Sequence, residues 1–260
     1  MFQPDLLKGR AALVTGGGTG ICRGIALAFA AHGCDVAITS RSLTHLEPTV
    51  ADLRTLGVRA MAKAADVRHP DAVGEMMAAV VGELGRLDIL VNGAAGNFIC
   101  LAENLSPNGF GTVVDIDLKG TFNVSKAALP HLKARGGSVL NISATLPYLG
   151  TIAQSHAASA KAGVDSLTRV LACEWGPYKI RVNGIAPGPV EGTEGVKRLV
   201  SEKSRAGLQE QCPLGRMATI DEIANAALYL CSDAASFVNG VTLVVDGGLW
   251  LRSARILGDL

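Results

Sequence analysis

The sequence lacks net charge, long apolar runs and paired cysteines, and each absence removes a class of function. Twenty-four basic residues stand against 23 acidic ones, a formal net charge of +1. There is thus no electrostatic argument for nucleic acid or for an anionic membrane surface as a partner. No run approaches the ~20 apolar residues that a membrane-spanning helix needs. The six cysteines (Cys22, Cys34, Cys100, Cys173, Cys212, Cys231) are scattered without a Cys-x-x-Cys pair. That spacing favours reduced, mostly buried thiols over disulfides or zinc. The five histidines are equally dispersed, so no metal site is expected. Met1-Phe2-Gln3-Pro4-Asp5 does not read as a signal peptide, and a cytoplasmic location is expected. The final Gly258-Asp259-Leu260 is not a peroxisomal address of the Ser-Lys-Leu type.

What the sequence holds instead is a long alternation of two patterns. A 48% hydrophobic composition over 260 residues supplies one large core. No repeat, low-complexity tract or linker divides it, so residues 1–260 are expected to form one domain. Short apolar runs read as strands at 11–15, 36–39, 87–91, 138–142, 180–183 and 241–245, and the run 59–64 leads into Asp66. Helical patterns lie between them, at about 23–32, up to Leu56, and at 71–84, 108–132 and 156–174. Thr219-Ile220-Asp221-Glu222 is a capping box that opens an Ala/Leu helix. Strands that are continuous apolar runs, alternating with helices, mean a parallel sheet covered on both faces. The expected fold is α/β, a single-domain doubly wound parallel sheet of the Rossmann type.

The first strand ends in Gly16-Gly17-Gly18-Thr19-Gly20, and a helix follows. Gly16 and Gly20 let the backbone turn tightly and approach a pyrophosphate at the positive end of that helix. Alone this is a weak signal, since a glycine turn can be purely structural. The downstream motifs strengthen it. Thr15-Gly16-x-x-x-Gly20-x-Cys22 resembles the short-chain dehydrogenase/reductase form of the loop. Cys22 stands in place of the last glycine, which normally lets the helix pack closely on the strand. Asn92-Gly93-Ala94-Ala95-Gly96 resembles that family's Asn-Asn-Ala-Gly turn, with Gly93 for the second asparagine. Pro187-Gly188-Pro189-Val190 followed by Thr193 resembles its nicotinamide-side loop, and Asp246-Gly247-Gly248 its terminal motif. The resemblance runs from Lys8 to Trp250 with every motif in family order.

That resemblance implies a dinucleotide site. Its residues would be Gly16, Thr19, Gly20 and Ile21 in the glycine loop and Asp66 and Val67 at the adenine ring. Asn92, Ala94 and Ala95 would follow, then Pro187, Gly188, Val190 and Thr193 on the nicotinamide side, with Lys161 on the ribose. NAD-preferring members carry an acidic residue at the end of the second strand, where this chain has Thr39-Ser40-Arg41-Ser42. A carboxylate would repel a 2′-phosphate, whereas Arg41, with Ser42 beside it, offers donors. NADPH (NADP) is the expected cofactor; the plainer reading of Arg41 is a solvated surface arginine.

The family's usual tetrad is Asn, Ser, Tyr and Lys, and only the lysine survives here, as Lys161. In Tyr-x-x-x-Lys both side chains share one helix face. The tyrosine position is Ala157, the serine position is Ala144 between Ser143 and Thr145, and the asparagine position is Asp117. His156 is no substitute by spacing, because positions five apart do not stack on a helix. Ordinary ketone reduction therefore lacks its general acid and its oxyanion donor. An α,β,γ,δ-unsaturated thioester supplies its own electron sink. Hydride at its δ carbon pushes charge onto the thioester oxygen, and a slower protonation at carbon can come from a water held by a carboxylate.

Within the superfamily the chain is similar to the peroxisomal-type 2,4-dienoyl-CoA reductases. The likeness lies in Ala95-Gly96-Asn97-Phe98, Asp115-Ile116-Asp117, Gly120-Thr121-Phe122-Asn123-Val124-Ser125 and Ser143-Ala144-Thr145-Leu146. It continues in His156-Ala157-Ala158-Ser159-Ala160-Lys161, Glu174-Trp175-Gly176-Pro177 and the run 186–195. What it implies is NADPH-dependent reduction of 2,4-dienoyl-CoA to 3-enoyl-CoA with Asp117 and Lys161 as the catalytic pair. Asp117 would orient the proton-donating water, and Lys161 would hold the nicotinamide ribose. It also implies an acyl-CoA thioester as substrate and, by analogy of fold, a homotetramer.

Asn97, Phe98, Tyr148 and His156 are the candidate substrate-side residues, and each has a plainer reading. Asn97 and Phe98 can be loop packing, Tyr148 a half-exposed loop tyrosine instead of a donor to the thioester oxygen, and His156 a pocket-lining residue instead of a proton relay. Asp117 can cap or bridge within its helix, and Lys161 can be a solvated lysine. Two other functions stay open at this point. One is a carbonyl (3-oxoacyl-thioester) reductase with Asp117, His156 or Tyr148 as its acid, and the other a catalytically inactive NADP-binding protein.

Overall fold

A computed structural model describes residues 2–199 and 202–251; the C-terminal Gly258-Asp259-Leu260 lies outside them. Its elements begin with β1 (Ala11–Thr15), α1 (Gly20–Ala31), β2 (Asp35–Ser40), α2 (Glu47–Thr55), β3 (Ala60–Ala64), α3 (Pro70–Leu84) and β4 (Ile89–Asn92). Next come α4 (Pro107–Val114), α5 (Gly120–Lys133), β5 (Gly137–Ile142), α6 (Leu146–Leu149), α7 (Ser155–Trp175) and β6 (Ile180–Pro187). The last are α8 (Glu194–Leu199), α9 (Glu202–Gln211), α10 (Ile220–Cys231) and β7 (Thr242–Val245).

The seven strands pair in parallel in the order β3-β2-β1-β4-β5-β6-β7. Successive strands step outward from β1 on one side and from β4 on the other. The C-terminal ends of β1 and β4 therefore flank a topological switch point, where open sheets of this kind bind ligands.

The apolar runs explain the layering. Along β1, Ala12 and Val14 face one side and Ala11 and Leu13 the other, the two-residue period of a strand. On the first side they pack with Ile25 and Phe29 of α1, Val50 and Leu53 of α2, and Ile223 and Ala227 of α10. On the second they pack with Met76 and Val80 of α3, Val124 and Ala128 of α5, and Leu171 and Trp175 of α7. A strand apolar at every position is thus buried on both faces.

Three features depart from the sequence pattern. The helix expected over 108–132 is α4 and α5 joined by a π-turn at Asp115–Lys119. A π-turn widens the helix by one residue and is a frequent mark of functional sites; here it holds Asp117. The strand expected at 180–183 runs on to Pro187, because Gly184 to Pro187 pair with β7. The short helices α6, α8 and α9 carry no apolar period long enough to announce them. The capping box at Thr219 is present, with the hydroxyl accepting from Glu222 N and the Glu222 carboxylate accepting from Thr219 N.

Candidate active site

The dinucleotide motifs converge at the switch point. Gly16 (φ 71°) and Gly20 (φ 55°) hold left-handed backbone that favours glycine. Thr15 Oγ1 accepts from the N–H groups of Gly93 and Ala94 at 2.9 and 3.0 Å, and Gly16 N donates to the Thr39 carbonyl at 2.8 Å. The turns after β1, β2 and β4 are thereby locked together. Thr19 caps α1 without a side-chain bond to it, and Ile21 lies in the first turn, which leaves first-turn N–H groups for an anion.

Thr193 faces this turn from the other side. Its methyl is 3.7 Å from where a Cβ on Gly20 would sit, and its hydroxyl donates to the Val190 carbonyl. Gly188 N donates to the Val245 carbonyl, and a Cβ on Gly188 would lie 2.6 Å from Asp246 Cβ. The loop after Pro187 must therefore hug the end of β7, and Asp246 of the terminal motif forms its wall.

Just beyond β3, the Val67 carbonyl accepts from Asn123 Nδ2 at 3.0 Å. The Asp66 carboxylate is gripped by the Arg68 guanidinium at 2.6–3.1 Å, which draws its pKa down to about 2. Arg41 is exposed and makes no hydrogen bond or ion pair among the described residues, while the Ser42 carbonyl accepts from Ser40 Oγ. A free cation stands where NAD-preferring members place a carboxylate.

Asp117, from the π-turn, and Lys161, from α7, form a buried pair. Asp117 is 1% exposed. Its Oδ1 accepts from Gly96 N at 2.7 Å, and its Oδ2 lies 3.3 Å from Lys161 Nζ. Lys161 is likewise buried and donates to the Ile142 carbonyl at 2.8 Å. Neither residue is a solvated helix side chain. Thr121 Oγ1 donates to the Asp117 carbonyl at 2.6 Å, which steadies the turn. Ala157 is buried on the α7 face that also carries Lys161.

Buried polar atoms without a hydrogen-bond partner mark the rest of the site. Among the described residues they are Asn92 Oδ1, Asn97 Oδ1, Ser143 Oγ, Gln154 Oε1 and both ring nitrogens of His156. Each such atom costs about 1–3 kcal/mol when left unpaired. All five residues sit at the ends of β4 and β5, in the loop after β4, or at the start of α7, which is what an organised ligand site looks like. His156 is fully buried, with its ring 4.3 Å from that of Phe98. Gln154 Nε2 donates to the Phe98 carbonyl at 3.1 Å, fastening the loop after β4 to the entry of α7.

Ser143 and Gln154 were not singled out in the sequence. Ser143 flanks the tetrad's serine position, a usable signal; Gln154 offered none, because its role depends on two loops meeting. Tyr148 is engaged elsewhere. Its hydroxyl donates to Asp165 Oδ2 at 2.6 Å, and its ring lies 5.7 Å from that of Trp250. Burial, with the Asp165 carboxylate, pushes its pKa well above the usual phenol range. Among the described residues no three His, Cys, Asp or Glu side chains are grouped to hold a metal ion.

Comparison with known proteins agrees with this geometry. A family profile described as enoyl-(acyl carrier protein) reductase matches residues 16–250. The peroxisomal 2,4-dienoyl-CoA reductase, (3E)-enoyl-CoA-producing, of Arabidopsis thaliana is 48% identical over 98% of this chain and 89% of its own. The Rattus norvegicus protein of the same name is 46% identical, covering 100% of this chain and 90% of its own. A probable 2,4-dienoyl-CoA reductase of Bacillus subtilis, (2E)-enoyl-CoA-producing, is 44% identical over 95% and 98%.

Solved structures include a 7α-hydroxysteroid dehydrogenase complexed with NADH and 7-oxo glycochenodeoxycholic acid. It superposes with a TM-score of 0.91 at 32% identity, over 95% of this chain and 98% of that one. A gluconate 5-dehydrogenase from Burkholderia cenocepacia in complex with NADP and tartrate gives a TM-score of 0.91 at 31% identity, over 96% and 98%. With 44–48% identity to these reductases over 95–100% of its length, and a seven-stranded parallel sheet, the chain belongs to the short-chain dehydrogenase/reductase superfamily and, within it, to the 2,4-dienoyl-CoA reductases.

Proposed function

We propose that this chain reduces 2,4-dienoyl-CoA to 3-enoyl-CoA with NADPH, through hydride transfer to the terminal diene carbon and protonation by a water that Asp117 holds. The observation that carries the reading is the buried Asp117–Lys161 pair on a site whose tyrosine position is Ala157. The turns fit a dinucleotide, because Gly16 and Gly20 are left-handed, the first turn of α1 is open, and a Cβ on Gly188 would have nowhere to go. A bound nicotinamide would supply the hydride. The free Arg41 supports NADPH over NADH, since a guanidinium pairs with a 2′-phosphate.

The chain's own residues divide the remaining work. An ammonium has three donors. Lys161 gives one to Ile142 and directs one at Asp117, which leaves one for the ribose. An ionised carboxylate has about four acceptor sites. Asp117 receives Gly96 N–H and faces Lys161, so it retains capacity to fix a water. Protonation of the dienolate by that water at the α carbon leaves the double bond between carbons 3 and 4, the product type named for the plant and rat relatives. Protonation at the γ carbon would give the type named for the bacterial one. The hydroxide left behind takes a proton from solvent.

Donors near the thioester oxygen stabilise the charge that reaches it. His156 and Ser143 have unpaired buried atoms suited to that, and Asn97 and Gln154 add polar atoms beside the acyl group. Phe98 covers His156. The test is NADPH oxidation with a 2,4-dienoyl-CoA and, side by side, a 3-oxoacyl-CoA. Turnover of the dienoyl thioester alone, with 3-enoyl-CoA identified by NMR, is the expected result. Turnover of the ketone would establish a replacement acid and overturn the reading. Silence on both substrates with NADPH bound would leave a binding-only protein.

A further inference from the structure

Two departures from the family motifs, far apart in the sequence, meet in space. Cys22 occupies the place of the glycine loop's last glycine, and Gly93 occupies the place of an asparagine in the turn after β4. A Cβ on Gly93 would run straight into Cys22 Sγ. The next neighbours, the Thr15 carbonyl at 3.1 Å and Ile142 Cγ1 at 3.4 Å, would have to yield far less. Gly93 is also not among the glycines with left-handed backbone. Its lack of a side chain therefore answers a demand for space, not for conformation.

The thiol that fills this space is buried and belongs to the first turn of α1. Gly93 is itself part of the lock between turns. Its N–H donates to Thr15 Oγ1, and its carbonyl oxygen lies 2.9 Å from where a Cβ on Gly16 would be. Ile142, the third neighbour, carries the carbonyl that holds Lys161. A change of volume here reaches the phosphate turn and the catalytic lysine's anchor together.

We infer that Cys22 and Gly93 form one size-matched position in the floor of the dinucleotide site, and that this match sets the spacing between the glycine turn and the turn after β4. The volume that position 22 adds is the volume that position 93 gives up. Cys22 is then no defect of the glycine loop, and its effect on cofactor binding is defined only together with Gly93. The inference rests on nicotinamide dinucleotide binding and not on the dienoyl substrate.

A double-mutant cycle tests it, with NADPH affinity read by fluorescence titration on the wild type, Gly93→Ala, Cys22→Gly and the double variant. Overpacking should cost Gly93→Ala about tenfold or more in affinity. The double variant should return to within about threefold of Cys22→Gly. The helix cost of a glycine at 22 is common to both arms and cancels. Wild-type affinity in Gly93→Ala, or simple multiplication of the single losses in the double variant, would overturn the coupling.

Melting temperatures of the same four proteins without cofactor give a second cycle. If Gly93→Ala is too unstable to titrate, its rescue by Cys22→Gly supports the inference and the absence of rescue overturns it. No NADPH binding by a folded wild type would remove the cofactor reading and the inferred role in binding with it. The cofactor-free cycle separates that outcome from a failure of the packing match.

Discussion

Asp117 stands where ketone-reducing relatives carry asparagine, and the difference between the two side chains is a direct probe of chemistry. The amide of an asparagine at this position would still accept from Gly96 N–H but would lack the charge that faces Lys161. Asp117→Asn should therefore lower kcat on a dienoyl thioester by about 10²–10⁴, the usual share of positioned proton transfer, while NADPH affinity stays near that of the wild type. Retained turnover would remove Asp117 from the mechanism. The thiols give a second residue-level prediction. Burial pushes Cys22 and Cys231 up to about 12, and Cys34 higher still, while Cys173 is exposed. Since the thiolate is the nucleophile, iodoacetamide at pH 8 should leave Cys22, Cys34 and Cys231 intact in the folded protein, whereas Cys173, one turn along α7 from Val170, should label once that face is uncovered. Mass spectrometric detection of early Cys22 labelling would contradict its buried position. Asp117 and Lys161 were legible in the sequence, because motif order fixes their positions. The pairing of Cys22 with Gly93 and the orphaned Gln154 were not, since each depends on turns from different parts of the chain coming together.

The strands were legible as elements because short continuous apolar runs bounded by turn residues fit strands buried on both faces, as in β1 and β4, where a helix needs a longer run. The π-turn was not, since nothing in Asp115-Ile116-Asp117-Leu118-Lys119 distinguishes it from a regular helical turn. The capping box of α10 was legible and has a pH signature. Arg216 and the Thr219 N–H hold the Glu222 pKa down to about 2 from an ordinary 4.5. Asp66 is lowered to about 2 by Arg68. A depressed folded pKa means that the unfolded chain takes up the proton first as pH falls. These contributions are therefore complete above about pH 4.5 and lost progressively toward pH 2. The melting temperature should fall through that window, with a shallower slope in Glu222→Gln and in Arg68→Ala; slopes identical to the wild type in both variants would refute the assignment. The effect of Glu222 is modest because its pair is exposed. Thr219→Ala, which removes the N-cap hydroxyl, should cost about 1 kcal/mol and ~2–4 °C at neutral pH.

At the scale of the whole molecule, apolar surface stays exposed among the described residues. Phe110, Phe122 and Val170 on α4, α5 and α7 are exposed, and β7 closes the sheet as an edge strand with every residue only half-buried. Unprotected apolar edges and faces of this kind call for a partner. Two separate self-complementary surfaces on one chain generate a tetramer of twofold axes, because each surface meets its own copy. By analogy of fold we propose a homotetramer, with a light-scattering mass four times the 26.8 kDa of the chain. Phe122→Glu with Val170→Glu puts charge on the helical surface and leaves β7 untouched, so that variant should run as a dimer. A wild-type monomer at micromolar concentration would defeat the proposal. The glycine turn, Arg41, Lys161 and Asp117 all come from one chain, so the dimeric variant should bind NADPH as the wild type does. A fall in dienoyl turnover with that binding intact would then place the contribution of assembly on the substrate side of the site, beside the exposed Phe98 of the loop after β4.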